Sequence, residues 1–145
     1  MTAPHPEGDG AVKCMNEAIK MANLSQTDIG YINAHGTGTL HNDKTETIAI
    51  KRVFKELAYK IPCSSTKSMI GHLMGAASAV ESVVCCLVLK HGVIPPTINY
   101  ETPDPECDLD YIPNVARELK VHHVLNNSFA FGGNNATTIF SRNDN

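Results

Sequence analysis

Apolar spacing divides the chain into segments of helical and strand-like character. After Gly8-Asp9-Gly10, residues Ala11, Met15, Ala18, Ile19 and Ala22 recur at the spacing of one helix face, which predicts an amphipathic helix with Asp9 as its N-cap. Ser25 and Asp28 predict a short capped turn, and Ile29 to Ala34 reads as a buried strand. Asp43 and Glu46 form a D-x-x-E capping pattern ahead of a helix whose apolar face carries Ile50, Val53, Phe54, Leu57 and Ala58. Pro62 to Thr66 reads as a short strand and Lys67 to Gly71 as a turn. Leu73 to Leu89 is apolar on most faces, the pattern of either a core helix or a membrane span. Glu81, Ser78 and Ser82 inside it favour a buried core helix over about His72 to Lys90. Ile94 to Ile98 is extended, but Pro95 and Pro96 exclude a central strand. A long irregular loop is expected from Asn99 to Lys120. A strand follows from Val121 to Phe129, then a tight turn at Phe131 to Asn134 and a closing strand from Asn135 to Ser141. Alternation of this kind predicts an α/β layered domain, one domain over residues 1–145.

Composition narrows the function classes. The 145 residues are 42% hydrophobic and 19% charged, enough to bury a core. The formal charge is -3 and Lys and Arg form no run, so no nucleic acid and no anionic membrane is expected as a partner. Cys14, Cys63, Cys85, Cys86 and Cys107 are odd in number and show no CxxC spacing, a poor basis for a disulfide framework or a zinc site. All five read as non-nucleophilic, with Cys85 and Cys86 as core packing. Met1 opens no basic and apolar leader, so a reducing, cytoplasmic setting is expected.

Three loops, each following a predicted strand, carry the candidate chemistry. In an open α/β sheet the ligand crevice lies beyond the carboxyl ends of strands, so these loops can meet. The first runs from Asn33 to Asp43: its glycines allow a sharp turn, Thr37 and Thr39 offer hydroxyls, and His35 alone reads more readily as a structural loop histidine than as a functional one. The second runs from Ser64 to His72. His72 is expected in the first turn of a helix, where the positive helix end and Lys67 would both disfavour an imidazolium. A surface lysine and an ordinary first-turn histidine explain the pair equally well. The third, Asn126 to Asn135, holds Gly132 and Gly133, which suit an anion-binding concavity or, more commonly, a plain β-hairpin turn.

In this order, HGTGT-x-x-ND (35–43), STKS-x-x-GH (65–72) and NSF-x-FGG (127–133) resemble the β-ketoacyl-(acyl-carrier-protein) synthases of type II, in their C-terminal half. The resemblance runs from about Thr2 to Phe140. It implies a thiolase-like layered fold, with helices packed on a mixed five-stranded-type sheet whose first strand is missing, hence an incomplete domain. It also implies that Met1 is an internal methionine of a longer reading frame. His35, His72 and Lys67 match the family's catalytic residues, and Thr37 and Thr39 match its phosphopantetheine-binding positions. Phe131 matches a residue of the acyl pocket and oxyanion hole, with Gly132 and Gly133 in support. Glu81 is expected to link Lys67 to the histidines. Asp43 and Glu46 are expected to cap the helix and order the loop. Ala130 stands where the family usually has glycine, a strained substitution if that position needs positive φ.

The implied reaction is decarboxylative Claisen condensation of malonyl-acyl carrier protein with an acyl thioester, in fatty-acid or polyketide synthesis. The family's cysteine nucleophile has no counterpart here. The chain alone is therefore expected to be inactive, with no cofactor of its own. Implied partners are acyl carrier protein and an N-terminal or full-length synthase, in a family that is typically homodimeric. A non-catalytic carrier-binding module is the alternative, and a metal module on His35, His41, His72 and Asp43 is a third reading. An unpaired sheet edge and an exposed apolar face are expected to make the chain marginally stable or self-associating.

Overall fold

The computed structural model describes residues 6–143; the expected start of the resemblance at Thr2 and the reading of Met1 lie outside the described residues. The first apolar stripe forms helix α1 (Asp9–Met21), burying Ala11, Met15 and Ile19. Strand β1 (Tyr31–Asn33) follows a 3₁₀ turn closed by a Ser25–Asp28 capping box, as the sequence implies. Then come α2 (Leu40–Phe54), β2 (Cys63–Ser64), the one-turn helix α3 (Lys67–Ile70) and α4 (Ala77–His91). The chain ends in β3 (Val93–Ile94), β4 (Arg117–Glu118), β5 (His123–Phe129) and β6 (Asn135–Ser141).

The main sheet has the order β2-β1-β5-β6, with β1 parallel to both neighbours and β6 antiparallel to β5. It has four strands among the described residues, and β3 pairs with β4 in a separate ladder. Successive strand residues face opposite sides, so β1 and β5 are buried on both. Ile32 and Leu125 pack with Met15, Ile19, Ile50 and Phe54 of α1 and α2. Tyr31 and Val124 pack on the other side with Cys85, Val88 and Leu89 of α4, together with Ile94 and Ile112. The result is helix, sheet and helix in three layers.

Several sequence expectations need correction. Gly8, in the left-handed conformation, caps α1; Asp9 is its first residue and pairs with Arg52 at 2.6 Å. Thr39 caps α2 by accepting the Asn42 N–H, so Asp43 and Glu46 lie inside the helix and do not cap it. Lys67–Ile70 is a helical turn, where the sequence reading expected a plain turn. Helix α4 starts at Ala77 after a 3₁₀ turn at Met74–Ala76, so His72 precedes it instead of opening it.

Nor is α4 buried all round. Ala77, Glu81, Cys85, Val88 and Leu89 form its buried stripe, while Val83 (59% exposed), Leu87 (46%) and Cys86 face outward. A helix laid on a sheet buries only the stripe that faces it, and nothing among the described residues covers the other side. The stretch Met74–His91 is long and apolar enough to cross a bilayer, but its buried side packs on β5. Ala130 has φ -135 and ψ 166, ordinary extended backbone without the anticipated strain.

Candidate active site

Parallel pairing decides where the motifs meet. Asn33 at the end of β1 stands opposite Ser64 of β2 and Asn126 of β5. The residues that follow each strand therefore leave the sheet at one edge, its carboxyl end. A row of buried polar groups ties this edge together. Asn33 Nδ2 donates to Asn126 Oδ1 at 2.8 Å. Ser64 Oγ donates to the Pro95 carbonyl at 2.7 Å and accepts from the Tyr31 hydroxyl at 2.8 Å. Such groups are tolerated in a core because they satisfy one another.

The first loop is held by Glu46. This buried carboxylate accepts the backbone N–H groups of His35 and Gly36, both at 2.9 Å, and the Asn127 amide at 3.0 Å. Burial pushes its pKa up while these donors hold it down. Gly36 has φ +41, and a Cβ there would lie 2.4 Å from Ser65 Cβ, so only glycine fits. Asp43 accepts the Gly38 N–H at 3.2 Å. Both acids therefore order the loop, as expected. Thr37 and Thr39 hydroxyls lie 3.0 Å apart.

His35 and His72 come together edge to face, with ring centroids 5.6 Å apart and an interplanar angle of 85°. Burial, then Lys67, then His72 push the His35 pKa down to about 4, so its ring is neutral at pH 7. Its Nδ1 is buried and has no partner. His72 Nδ1 accepts the Met74 N–H at 3.1 Å, which leaves Nε2 as the ring's N–H donor.

Lys67 opens α3 and forms a buried ion pair with Glu81, their side chains 3% and 1% exposed. Burial pushes the Glu81 pKa up and the Lys67 hydrogen bond holds it down. His72, Lys67, Thr37, Thr39, Asp43 and Glu46 line a cleft of about 880 Å³, closed on the far side by residues 97–111. His35 does not itself line the cleft and lies between His72 and Phe129.

Phe131 is not brought to the histidines. It is 74% exposed in the β5–β6 turn beside Gly132 and Gly133, which adopt φ 77 and 80. The aromatic ring against His35 is Phe129, with centroids 5.6 Å apart. Sequence reasoning missed Phe129 and the Asn33, Asn126 and Asn127 row. The available signal was polar residues closing otherwise apolar strands. Among the described residues no group of three or more His, Cys, Asp or Glu is placed to hold a metal ion.

A mixed α/β layered domain with paired histidines at the carboxyl edge of its sheet is a thiolase-like ketosynthase structure. Residues 1–101 match the family model for the beta-ketoacyl synthase C-terminal domain, and the chain belongs to that family. It is 49% identical over 142 residues to 3-oxoacyl-[acyl-carrier-protein] synthase 2 of Coxiella burnetii, covering 98% of this chain and 34% of the relative. It is also 49% identical over 142 residues to the tetracenomycin polyketide synthase ketoacyl synthase alpha subunit of Streptomyces glaucescens, covering 98% and 33%. A solved complex of a type II polyketide acyl-carrier protein with its ketosynthase superposes with a TM-score of 0.97 at 42% identity, covering 99% of this chain and 35% of that one. A beta-ketoacyl synthase from Burkholderia phymatum gives a TM-score of 0.88 at 38% identity, covering 95% and 33%. The chain spans about a third of the length of the curated relatives it matches.

Proposed function

We propose that this chain supplies the histidine–histidine–lysine part of a site for decarboxylative Claisen condensation of malonyl-acyl carrier protein with an acyl thioester. The carrying observation is the His35–His72 pair: two rings in contact, one held neutral by burial and the other left with Nε2 as its N–H donor. Loss of carbon dioxide leaves the electron pair of the broken bond on an enolate oxygen. Preorganised N–H donors aimed at that oxygen stabilise it as its charge develops. The enolate carbon then attacks an acyl thioester on a cysteine, whose thiolate departs. Lys67 and Glu81 act as positioning residues, fixing charge behind the histidines. Thr37 and Thr39 hold the amide-bearing phosphopantetheine arm in the cleft. On this reading Phe131 and the two glycines form a mobile margin of the acyl pocket, and the chain needs no cofactor of its own.

The acyl-bearing cysteine comes from an N-terminal synthase half. Cys63 and Cys85 are buried, their thiols pushed up in pKa by that burial, the latter to about 12. Cys107 lines the cleft, but burial and then Asp104 and other acids raise its thiol pKa, making it a poor nucleophile. The working assembly is accordingly this domain, an N-terminal half and acyl carrier protein, as a homodimer in the cytoplasm. Cys14 and Cys86 do not line the cleft, so no described thiol is well suited to attack there, which favours the second reading, a carrier-binding module without chemistry.

Carbon dioxide release from malonyl-carrier protein separates the two. With an N-terminal half added, release should appear and fall by about a hundredfold or more in His35→Ala and His72→Ala. Release indifferent to both substitutions would sink the catalytic reading. Carrier binding with no release in any mixture would establish the second.

A further inference from the structure

We propose that residues 99–108 form a lid over the cleft, hinged at a fixed neck and latched to α2 by ion pairs that salt releases. The neck is sealed by hydrogen bonds. Thr97 N–H donates to the Ile112 carbonyl at 3.0 Å and Asn114 N–H to the Thr97 carbonyl at 2.9 Å. The Asn114 side chain accepts the Tyr100 N–H at 3.0 Å and donates to the Tyr100 carbonyl at 2.8 Å. Asn99, Ile112 and Asn114 all have positive φ, an unusual state for a buried β-branched residue such as Ile112, held only where surroundings over-determine it. A loop whose ends are bonded together in this way moves as a unit.

The far side of the lid is held differently. Along 106–108 the side chains alternate as in a strand. Glu106 and Asp108 point outward to Lys44, at 2.5 Å, and to Lys51. Cys107 turns inward, and residues 109–111 belong to the fixed neck: Leu109 is buried in the core, the Asp110 carbonyl accepts the Cys63 N–H at 2.8 Å, and the Tyr111 hydroxyl lies 2.5 Å from Thr47 Oγ1. Lys44 and Lys51 are two turns apart on one side of α2, so both latches close on the same helix. That helix also carries Asp43 and Glu46, which fix the His35 loop. The inner surface of the lid presents Tyr100, Thr102, Asp104 and Cys107 to the cleft.

The hinge and the latch therefore differ in kind. Backbone hydrogen bonds and tight packing do not respond to ionic strength, whereas exposed ion pairs are weak and screened by salt. Releasing the latch swings the far wall of the cleft away from Thr37 and Thr39. The inference rests on the cleft geometry and not on the condensation chemistry, so no carrier or second half enters its test.

The chain contains its own probes. Cys107 sits half-buried under the latch, while Cys63 and Cys85 are fully buried in the two cores. Alkylation of the full chain with uncharged N-ethylmaleimide, read thiol by thiol by mass spectrometry, compares the three. Raising sodium chloride from about 20 to about 500 mM should accelerate Cys107 labelling by about fivefold with Cys63 and Cys85 unchanged. Lys44→Gln/Lys51→Gln should label fast at low salt and no longer respond. The proposal is overturned if the Cys107 rate ignores salt, if Cys63 and Cys85 rise in step with it, or if the double variant keeps the full salt response.

Discussion

His35 and Glu81 bear the same burden in opposite senses, since each would have to hold a charge away from water. Glu81 answers it with Lys67; His35 answers it by staying neutral. This leaves a pH signature. The unfolded histidine takes a proton near its ordinary value of 6.5 and the folded one only near 4, so between these limits the unfolded chain binds more protons. Stability contributed by a neutral His35 is complete above about pH 6.5 and is lost as pH falls toward 4, by on the order of 2–3 kcal/mol. Glu46 and Glu81, raised by burial, work in the opposite direction above the ordinary carboxylate pKa. The comparison with His35→Gln isolates the histidine: urea midpoints of the wild type should drop more steeply between about pH 6.5 and 4.5 than those of the variant. Parallel slopes would show that His35 is not desolvated. At this scale the sequence revealed which residue types converge, because the three strings carry them. It did not reveal which aromatic ring would meet His35: that ring is Phe129, the last residue of β5, and not Phe131 in the turn beyond it.

Helix ends were the least legible elements, for a local reason. Thr37, Thr39 and Asp43 all compete to cap α2, and each satisfies the same preference for a short polar side chain. The outcome turns on Glu46, whose carboxylate must sit under the amides of His35 and Gly36; this winds the helix back to Leu40 and leaves Thr39 at its start. The other end of α4 was plainer, since Gly92 follows the last periodic residue. It adopts φ 67 and donates its N–H to the Val88 carbonyl at 2.8 Å. Lys120 Cγ would lie 3.0 Å from an added Cβ. Gly92→Ala should therefore cost about 1 kcal/mol, seen as a lower urea midpoint with an unchanged slope. An unaltered midpoint would mean that the left-handed cap is not maintained in solution.

For the molecule as a whole, layering was legible because helical and strand periods alternate along the chain. Strand order was not, because it depends on pairings between distant segments. One consequence of the one-sided burial of α4 is association. Met74, Val83 and Leu87 form part of an outward apolar surface that water solvates poorly. Light scattering on a size-exclusion column should show species above 15.7 kDa at micromolar concentrations, and Val83→Glu/Leu87→Lys should shift them toward the monomer. A monodisperse wild-type monomer would refute this. A different consequence follows from β5. Among the described residues it alone joins the β1–β2 pair to β6, and it reaches β1 through the pairing of Tyr31 with Val124. On a ribosome adding about 5–20 residues per second, β1 waits roughly 5–20 s for that partner. Until then the asparagine row has no far end, Glu46 lacks Asn127, and the histidine loop has only half its support. The carboxyl edge of the sheet is thus a late product of synthesis, and its maturation should be governed by slow long-range pairing and not by the fast formation of its helices.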